Sequence, residues 1–405
     1  MTGLARVRFL DPTTPPHIVT LILMAGLSAL TMNIFLPSLP GMTAYFDTEY
    51  RIVQLSVAVY LGINAFLQIL IGPISDRYGR RPVLLGSMAL FCAATLGCIA
   101  APTIEVFLIF RMVQAVVVTG LVLSRAVVRD MVPQEEAASM IGYVTMGMAV
   151  APMIGPAFGG LLDQWFGWQA TFGLLLLLGV GTLAMIWRDL GETAPLTSSS
   201  FAEQFKEYPE LLTARRFWGY CAAAAFSSGA FFAYLGGAPY VGSTVYGLEP
   251  ALLGLLFGTP AVGYMVGNGL SGWYSVRIGI NRMILSGALI VVLGMGLSLL
   301  VDAAGYGSVY LFFGFMTFVG LGNGLTIPNA TAGMLSVRPH LAGTASGLGG
   351  AMMIGGGAAL SALAGIVLTD ASGAGPLIWI MFASGVLGLL AILYVIRREA
   401  QIRLP

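Results

Sequence analysis

Charge is what this sequence lacks most. Only 9% of its 405 residues are Asp, Glu, Lys or Arg, against about a quarter in a soluble domain. With 57% of its residues hydrophobic, the chain cannot cover its own surface with polar groups. A water-soluble globule is therefore excluded, and lipid is the expected solvent. Histidine is nearly missing as well. The two present, His17 and His340, fall at expected helix ends, and no Glu-x-x-His or paired-aspartate cluster accompanies them, which argues against a metal centre or an intramembrane enzyme. Cys92, Cys98 and Cys221 lie in apolar runs without ligand spacing and read as buried thiols. No G-x-x-x-x-G-K-[ST] loop occurs, so direct ATP use and a nucleotide cofactor are not expected. A formal net charge of +1 offers nucleic acid nothing to bind.

What the sequence has is long apolar runs. Stretches able to cross a bilayer fall near 18–39, 53–73, 83–101, 106–128, 139–162 and 169–187, then near 216–238, 251–273, 283–301, 309–328, 342–368 and 377–396. About 20 residues suffice for each crossing. The first run is too long for a signal h-region and lacks a cleavage site, so it reads as a membrane span. The pattern predicts an all-α membrane protein of twelve transmembrane helices: an N-terminal six-helix bundle (1–188), a connector (189–215) and a C-terminal six-helix bundle (216–405). Phe201 to Leu212 in the connector reads either as an amphipathic surface helix or as a plain tether.

The basic residues set the expected orientation. Of the 19 Lys and Arg, all but Arg51 and Arg111 lie in segments or helix ends that share one side with the termini. This bias places both termini in the cytoplasm. An internal repeat supports the division into halves: Gly72, Ser75, Arg77 and Gly79 recur as Gly272, Ser275, Arg277 and Gly279, at an offset of 200. Paired halves of this kind rock around a central site.

Three motifs carry chemistry. The segment Gly72-Pro73-Ile74-Ser75-Asp76-Arg77-Tyr78-Gly79-Arg80-Arg81-Pro82 joins the second and third runs. Its glycines permit a tight turn, and Asp76 is the only acid beside three arginines, so it either caps a helix or pairs with an arginine across the bundle. Such a pair makes a bistable element, although a basic loop that only anchors topology would look similar. In the fifth run, Gly147, Ala151, Gly155 and Gly159 form a smooth ridge. Gly160 follows, and Pro152 and Pro156 bend the helix, as a moving interface requires; static close packing is the alternative. In the fourth run, Arg111-Met112-Val113-Gln114 puts a guanidinium inside the membrane, where it is costly unless it faces polar partners. The alternative there is an arginine snorkelling toward the surface near Glu105.

The segment 72–82 resembles the signature G-x-x-x-D-R-x-G-R-R of the major facilitator superfamily, which implies a cytoplasmic gate built on Asp76, Arg77 and Arg80. The run Gly155-Pro156-Ala157-Phe158-Gly159-Gly160 resembles that superfamily's exporter motif. Arg111 to Ala115 is similar to the R-x-x-Q-G motif of drug–proton antiporters, with alanine in the last place. Leu36-Pro37-Ser38-Leu39-Pro40, Ser124 to Asp130 and Ala342 to Ser346 resemble the bicyclomycin and chloramphenicol resistance (Bcr/CflA) subfamily. The resemblance implies export of small amphipathic molecules or drugs across a bacterial inner membrane by proton antiport, with the lipid bilayer, a small-molecule substrate and protons as partners, and a monomer.

One position departs from the pattern. The subfamily's helix 1 aspartate is Asn33 here, and asparagine cannot carry a proton. No Asp or Glu lies near a span's midpoint. Coupling then falls to Asp130 with Arg125 and Arg129, or to Glu105 near Arg111. Alternatively, the chain is an importer, an uncoupled facilitator, or an exporter of acidic substrates drawn by Arg111. Asn33, Asn64, Arg111, Gln114, Tyr234 and Asn323 are the expected cavity residues, with Tyr60, Gln68, Tyr240, Asn268 and Asn329 held in reserve. A receptor or a purely structural membrane protein has no evident need for a duplicated gating segment.

Overall fold

The computed structural model describes residues 8–132, 140, 144, 148, 154–193, 210–338, 342–369 and 372–403. Among these residues all regular secondary structure is helical, and eleven helices are long and apolar enough to cross a membrane. They are α1 (Ile18–Tyr45), α2 (Tyr50–Tyr78), α3 (Arg80–Ile99), α4 (Ile104–Met131), α6 (Gln169–Asp189), α7 (Arg215–Val245), α8 (Pro250–Ile278), α9 (Ile280–Ala303), α10 (Val309–Val337), α11 (Ala342–Val367) and α12 (Gly375–Arg403). The described part of α5 is 154–166. Helices α1–α6 form one bundle and α7–α12 the other. Most of the connector, and Gly147 and Pro152 of the expected ridge, lie outside the described residues.

Large apolar side chains such as Leu177, Leu293 and Leu300 stand exposed on the outer surface, where lipid tails would meet them. Inside, small residues let backbones touch. There is no room for a Cβ on Gly263, which lies against the Thr317 carbonyl, nor on Gly320, against the Pro260 carbonyl. Helices α8 and α10 are thereby fused along one face.

Three local breaks follow from the sequence. Proline has no N–H to donate, and the Leu36-Pro37-Ser38-Leu39-Pro40 run interrupts α1 after Asn33 with a 3-10 turn at Leu36–Ser38. In α8, Ala261 N–H bonds Gly258 O at 3.0 Å, leaving the Phe257 carbonyl free to accept from the Tyr234 hydroxyl at 3.0 Å. The third break corrects an expectation. The segment 72–82 is not a loop: α2 runs to Tyr78 and α3 starts at Arg80, so Gly79 alone separates them.

Gly79 has φ 93° and ψ 152°, a region that only glycine enters readily. Gly279, between α8 and α9, repeats it with φ 90° and ψ 146°. Each glycine N–H bonds the carbonyl four residues back, Ser75 or Ser275, at 2.9 Å. The repeat seen in the sequence is thus a repeat of backbone geometry.

The ends of α2, α4, α6, α10 and α12 and the starts of α3, α7 and α9 share the face that carries the chain termini, called here the terminal face. The opposite one is the far face. On the terminal face the fully buried Asp189 ends α6 and gathers the segment before α1. It accepts from Leu10 N–H at 2.7 Å, His17 N–H at 2.8 Å and the Thr20 hydroxyl at 2.6 Å.

Candidate functional site: gate, arginine cage and inter-bundle seam

The terminal-face cluster of the first bundle centres on Arg80. Its guanidinium pairs with Asp76 at 2.5 Å and Asp130 at 3.1 Å, and also donates to the Ser75 hydroxyl at 2.5 Å. Asp76 pairs with Arg80 at the start of the next helix. The first N–H groups of a helix lack intrahelical acceptors, and Glu192, three residues past α6, supplies them. It accepts from Arg80 N–H at 2.8 Å and Arg81 N–H at 3.2 Å. Arg81 reaches the Trp187 carbonyl at 2.9 Å. Arg77 is exposed over the Tyr78 ring, outside the ion-pair network, and a Cβ on Gly72 would meet open space. Glu192 carried no signal in the sequence, since nothing there links a connector acid to the start of α3.

The second bundle holds a looser counterpart. Glu399 of α12 accepts from Asn281 at 2.7 Å, from the Tyr220 hydroxyl at 3.1 Å and from Arg216. The position matching Asp76 is Val276, 95% exposed. Only the first bundle therefore presents a carboxylate at this place.

Arg111 is 0% exposed and does not snorkel. Its guanidinium donates to the Thr31 carbonyl at 3.0 Å, the Ser56 carbonyl at 3.3 Å and the Gln114 side chain. It lies over the rings of Phe35 and Tyr60, at 4.3 and 4.1 Å. Gln114 passes the chain on to the Thr95 hydroxyl at 2.8 Å. Thr31 sits in the last turn of α1's first segment, where carbonyls lack helical donors; the proline break thus helps to solvate the arginine. Among the described residues no carboxylate pairs with Arg111. Glu105 is exposed in the first turn of α4 and makes no ion pair there, so the structure does not bring these two expected partners together.

The remaining expected cavity residues are largely engaged within their own bundles. Asn33 donates to the Ala29 carbonyl at 2.7 Å. Asn64 accepts from Gln68 at 2.8 Å. Asn323 accepts from Ser227 at 2.6 Å, and Asn329 donates to Ser271 at 2.8 Å. Tyr234 is fully buried on the α8 break described above.

The bundles meet at the far face along two lines. On one, α5 packs on α8: Gly160 lies against the Pro250 carbonyl and Gly254 against the Pro156 carbonyl, with no space for a Cβ on either. The adjacent Gly159 faces the other way, onto the Ile34 carbonyl of α1. The exporter-like motif thus touches both bundles. On the second line, the start of α2 enters the second bundle. Gln54 donates to the Ser361 carbonyl at 2.6 Å and hydroxyl at 3.0 Å, and the Tyr50 hydroxyl to the Gly236 carbonyl at 2.8 Å. Both side chains are buried. Neither was expected from the sequence, where they read as ordinary polar residues at a helix start.

A family model described as Major Facilitator Superfamily matches residues 21–362. An uncharacterized MFS-type transporter, YdgK, of Bacillus subtilis is 31% identical over 383 residues, 91% of this chain and 92% of that one. A chloramphenicol resistance protein of Pseudomonas aeruginosa is 30% identical, covering 81% of this chain and 79% of its own length. Multidrug resistance protein D of Escherichia coli is 27% identical, covering 85% and 88%. Among solved structures, the peptide transporter POT superposes with a TM-score of 0.77 at 15% identity, over 96% of this chain and 97% of that one.

Proposed function

The chain belongs to the Major Facilitator Superfamily, and from that premise we propose that it exports small amphipathic molecules, drugs among them, by alternating access. The relatives named for chloramphenicol and multidrug resistance support the drug reading. The concentration of arginines at the terminal face supports a cytoplasmic location for that face and for both termini, in a bacterial inner membrane.

The observation that carries the reading is the reciprocal contact of Gly160 with Pro250 and Gly254 with Pro156. Two backbones in direct contact, without side chains between them, close the far face in one state and can part as rigid surfaces in the other. The Gln54–Ser361 clasp adds hydrogen bonds that break when they part.

For coupling, we propose the Arg80 cluster. One guanidinium holds two carboxylates, Asp76 and Asp130, and a proton on either weakens its grip. This assigns Asp130 the role left open by Asn33, while among the described residues the exposed Glu105 pairs with no arginine.

The test is accumulation of an amphenicol and other amphipathic drugs in inside-out vesicles, with and without a pH gradient. Gradient-driven accumulation that survives Glu105→Gln and is lost with Asp130→Asn is expected. Movement indifferent to the gradient would make the chain a facilitator, and uptake in the opposite direction an importer.

A further inference from the structure

The turn that follows α6 binds two separate parts of the first bundle within five residues. Its first member, Asp189, is an unfavourable choice for the place it holds. The carboxylate is fully buried and ends its helix, where the negative pole of the macrodipole disfavours an acid. What the carboxylate supplies is acceptors. The three donors it takes, Leu10 N–H, His17 N–H and the Thr20 hydroxyl, all belong to the segment before α1 or to the first turn of α1.

That segment is held under strain. Leu10 has φ 63°, in the left-handed region that a leucine occupies only when its surroundings impose it. Its side chain is 42% exposed, so burial does not impose it, whereas the N–H bond to Asp189 at 2.7 Å does. Two residues past Asp189, Gly191 lies so close to the Pro12 carbonyl that no Cβ fits. The segment thus crosses the turn as a strap.

The next two residues face the gate. Glu192 accepts from the N–H groups of Arg80 and Arg81 and lies against Gly79. The Thr193 hydroxyl donates to Asp130 at 3.3 Å. The backbone leaves the helix at Leu190, with φ −96° and ψ 113°. Only three residues separate Asp189 from Glu192, and each spans about 3.5 Å at most, so the link has little slack.

We propose that Asp189 is a positioning residue of the gate. Bound to the strap, it fixes the turn 189–193. The turn sets Glu192 on the start of α3, and with it the aim of the Arg80 guanidinium at Asp76 and Asp130. Any effect on transport rests on the role proposed above for the Arg80 cluster; the positioning does not.

Hydrogen exchange of the full chain in detergent tests this, followed by mass spectrometry on peptides covering 79–84 and 279–284. The second junction repeats the backbone geometry of the first but has open space where Glu192 lies against Gly79, so it serves as the internal control. Asp189→Asn should speed exchange at 79–84 about 10-fold, the scale of one hydrogen bond to a charged group, and leave 279–284 as in wild type. Thr20→Val removes one donor and keeps the carboxylate. It should give a smaller change in the same direction, and it replaces Asp189→Asn in every comparison should that variant not fold. Combined with Glu192→Ala, Asp189→Asn should speed exchange no further than Glu192→Ala alone, because one residue acts through the other. Unchanged exchange at 79–84 in both strap variants, equal acceleration at the two junctions, or additive effects in the double variant overturns the proposal. Drug accumulation in inside-out vesicles should slow in step with exchange at 79–84. Faster exchange there with undiminished accumulation keeps the positioning and removes the Arg80 cluster from the transport reading.

Discussion

Gly79 and Gly279 stand 200 residues apart and hold the same backbone conformation, with φ of 93° and 90°. Their surroundings differ. A Cβ on Gly79 would strike the Glu192 carboxylate, whereas one on Gly279 meets open space. Both alanine variants carry the backbone strain, about 1–3 kcal/mol. Gly79→Ala also displaces the acid that caps α3. Thermal unfolding in detergent should show Gly79→Ala the less stable of the two, and only Gly79→Ala should disturb the Arg80 cluster and lower transport.

The far-face seam tolerates no added carbon. At Gly160 and Gly254 the obstructing atoms are backbone carbonyls and Cα atoms, which cannot rotate away. Gly160→Ala and Gly254→Ala should each destabilise the closed far face by about 1–3 kcal/mol, the usual cost of overpacking. A cysteine at position 361 should then react faster with an impermeant thiol reagent added from the far side. Unchanged labelling would mean the seam is not a moving contact.

Gln54 uses two acceptors on Ser361, and the shorter bond, 2.6 Å, goes to the backbone carbonyl. Ser361→Ala leaves that acceptor in place, while Gln54→Leu removes both bonds. Intramembrane hydrogen bonds contribute on average about 0.6 kcal/mol. The same labelling assay, read at a far-face position other than 361, should show a larger shift for Gln54→Leu than for Ser361→Ala. The double variant should resemble Gln54→Leu alone.

Arg111 spreads its charge over two carbonyls, an amide and two ring faces. Lysine keeps the charge but cannot fork or stack in this way, whereas methionine fills space without charge to solvate. Arg111→Lys should therefore melt at a lower temperature in detergent than Arg111→Met, because an unsolvated buried charge costs more than its removal. A lysine variant as stable as wild type would show that the cage does not solvate the charge.

Much of the fold was legible because lipid imposes it: span lengths follow from hydropathy, and the two halves announce themselves through Gly72, Ser75, Arg77, Gly79 and their partners. The Arg80 cluster was half visible, since Asp76, Arg80 and Asp130 stand out as rare charges, but their sharing of one guanidinium did not. Gln54, Tyr50 and Ser361 stayed hidden because their bonds join helices up to 307 residues apart through backbone carbonyls, which leave no trace in residue type. Arg111 misled for the same reason. Its polarity suggested Glu105 or a cavity, while its actual partners include the Thr31 carbonyl beside a proline break.

The most direct measurement is a reversible tether across the far-face seam. Cysteines replace Gln54 and Ser361 in a chain whose Cys92, Cys98 and Cys221 are changed to alanine, and a short bifunctional thiosulfonate joins them. Transport should stop when the tether forms and return when it is reduced, because the bundles must part at this seam in every cycle. Undiminished transport with the tether in place would contradict alternating access through it.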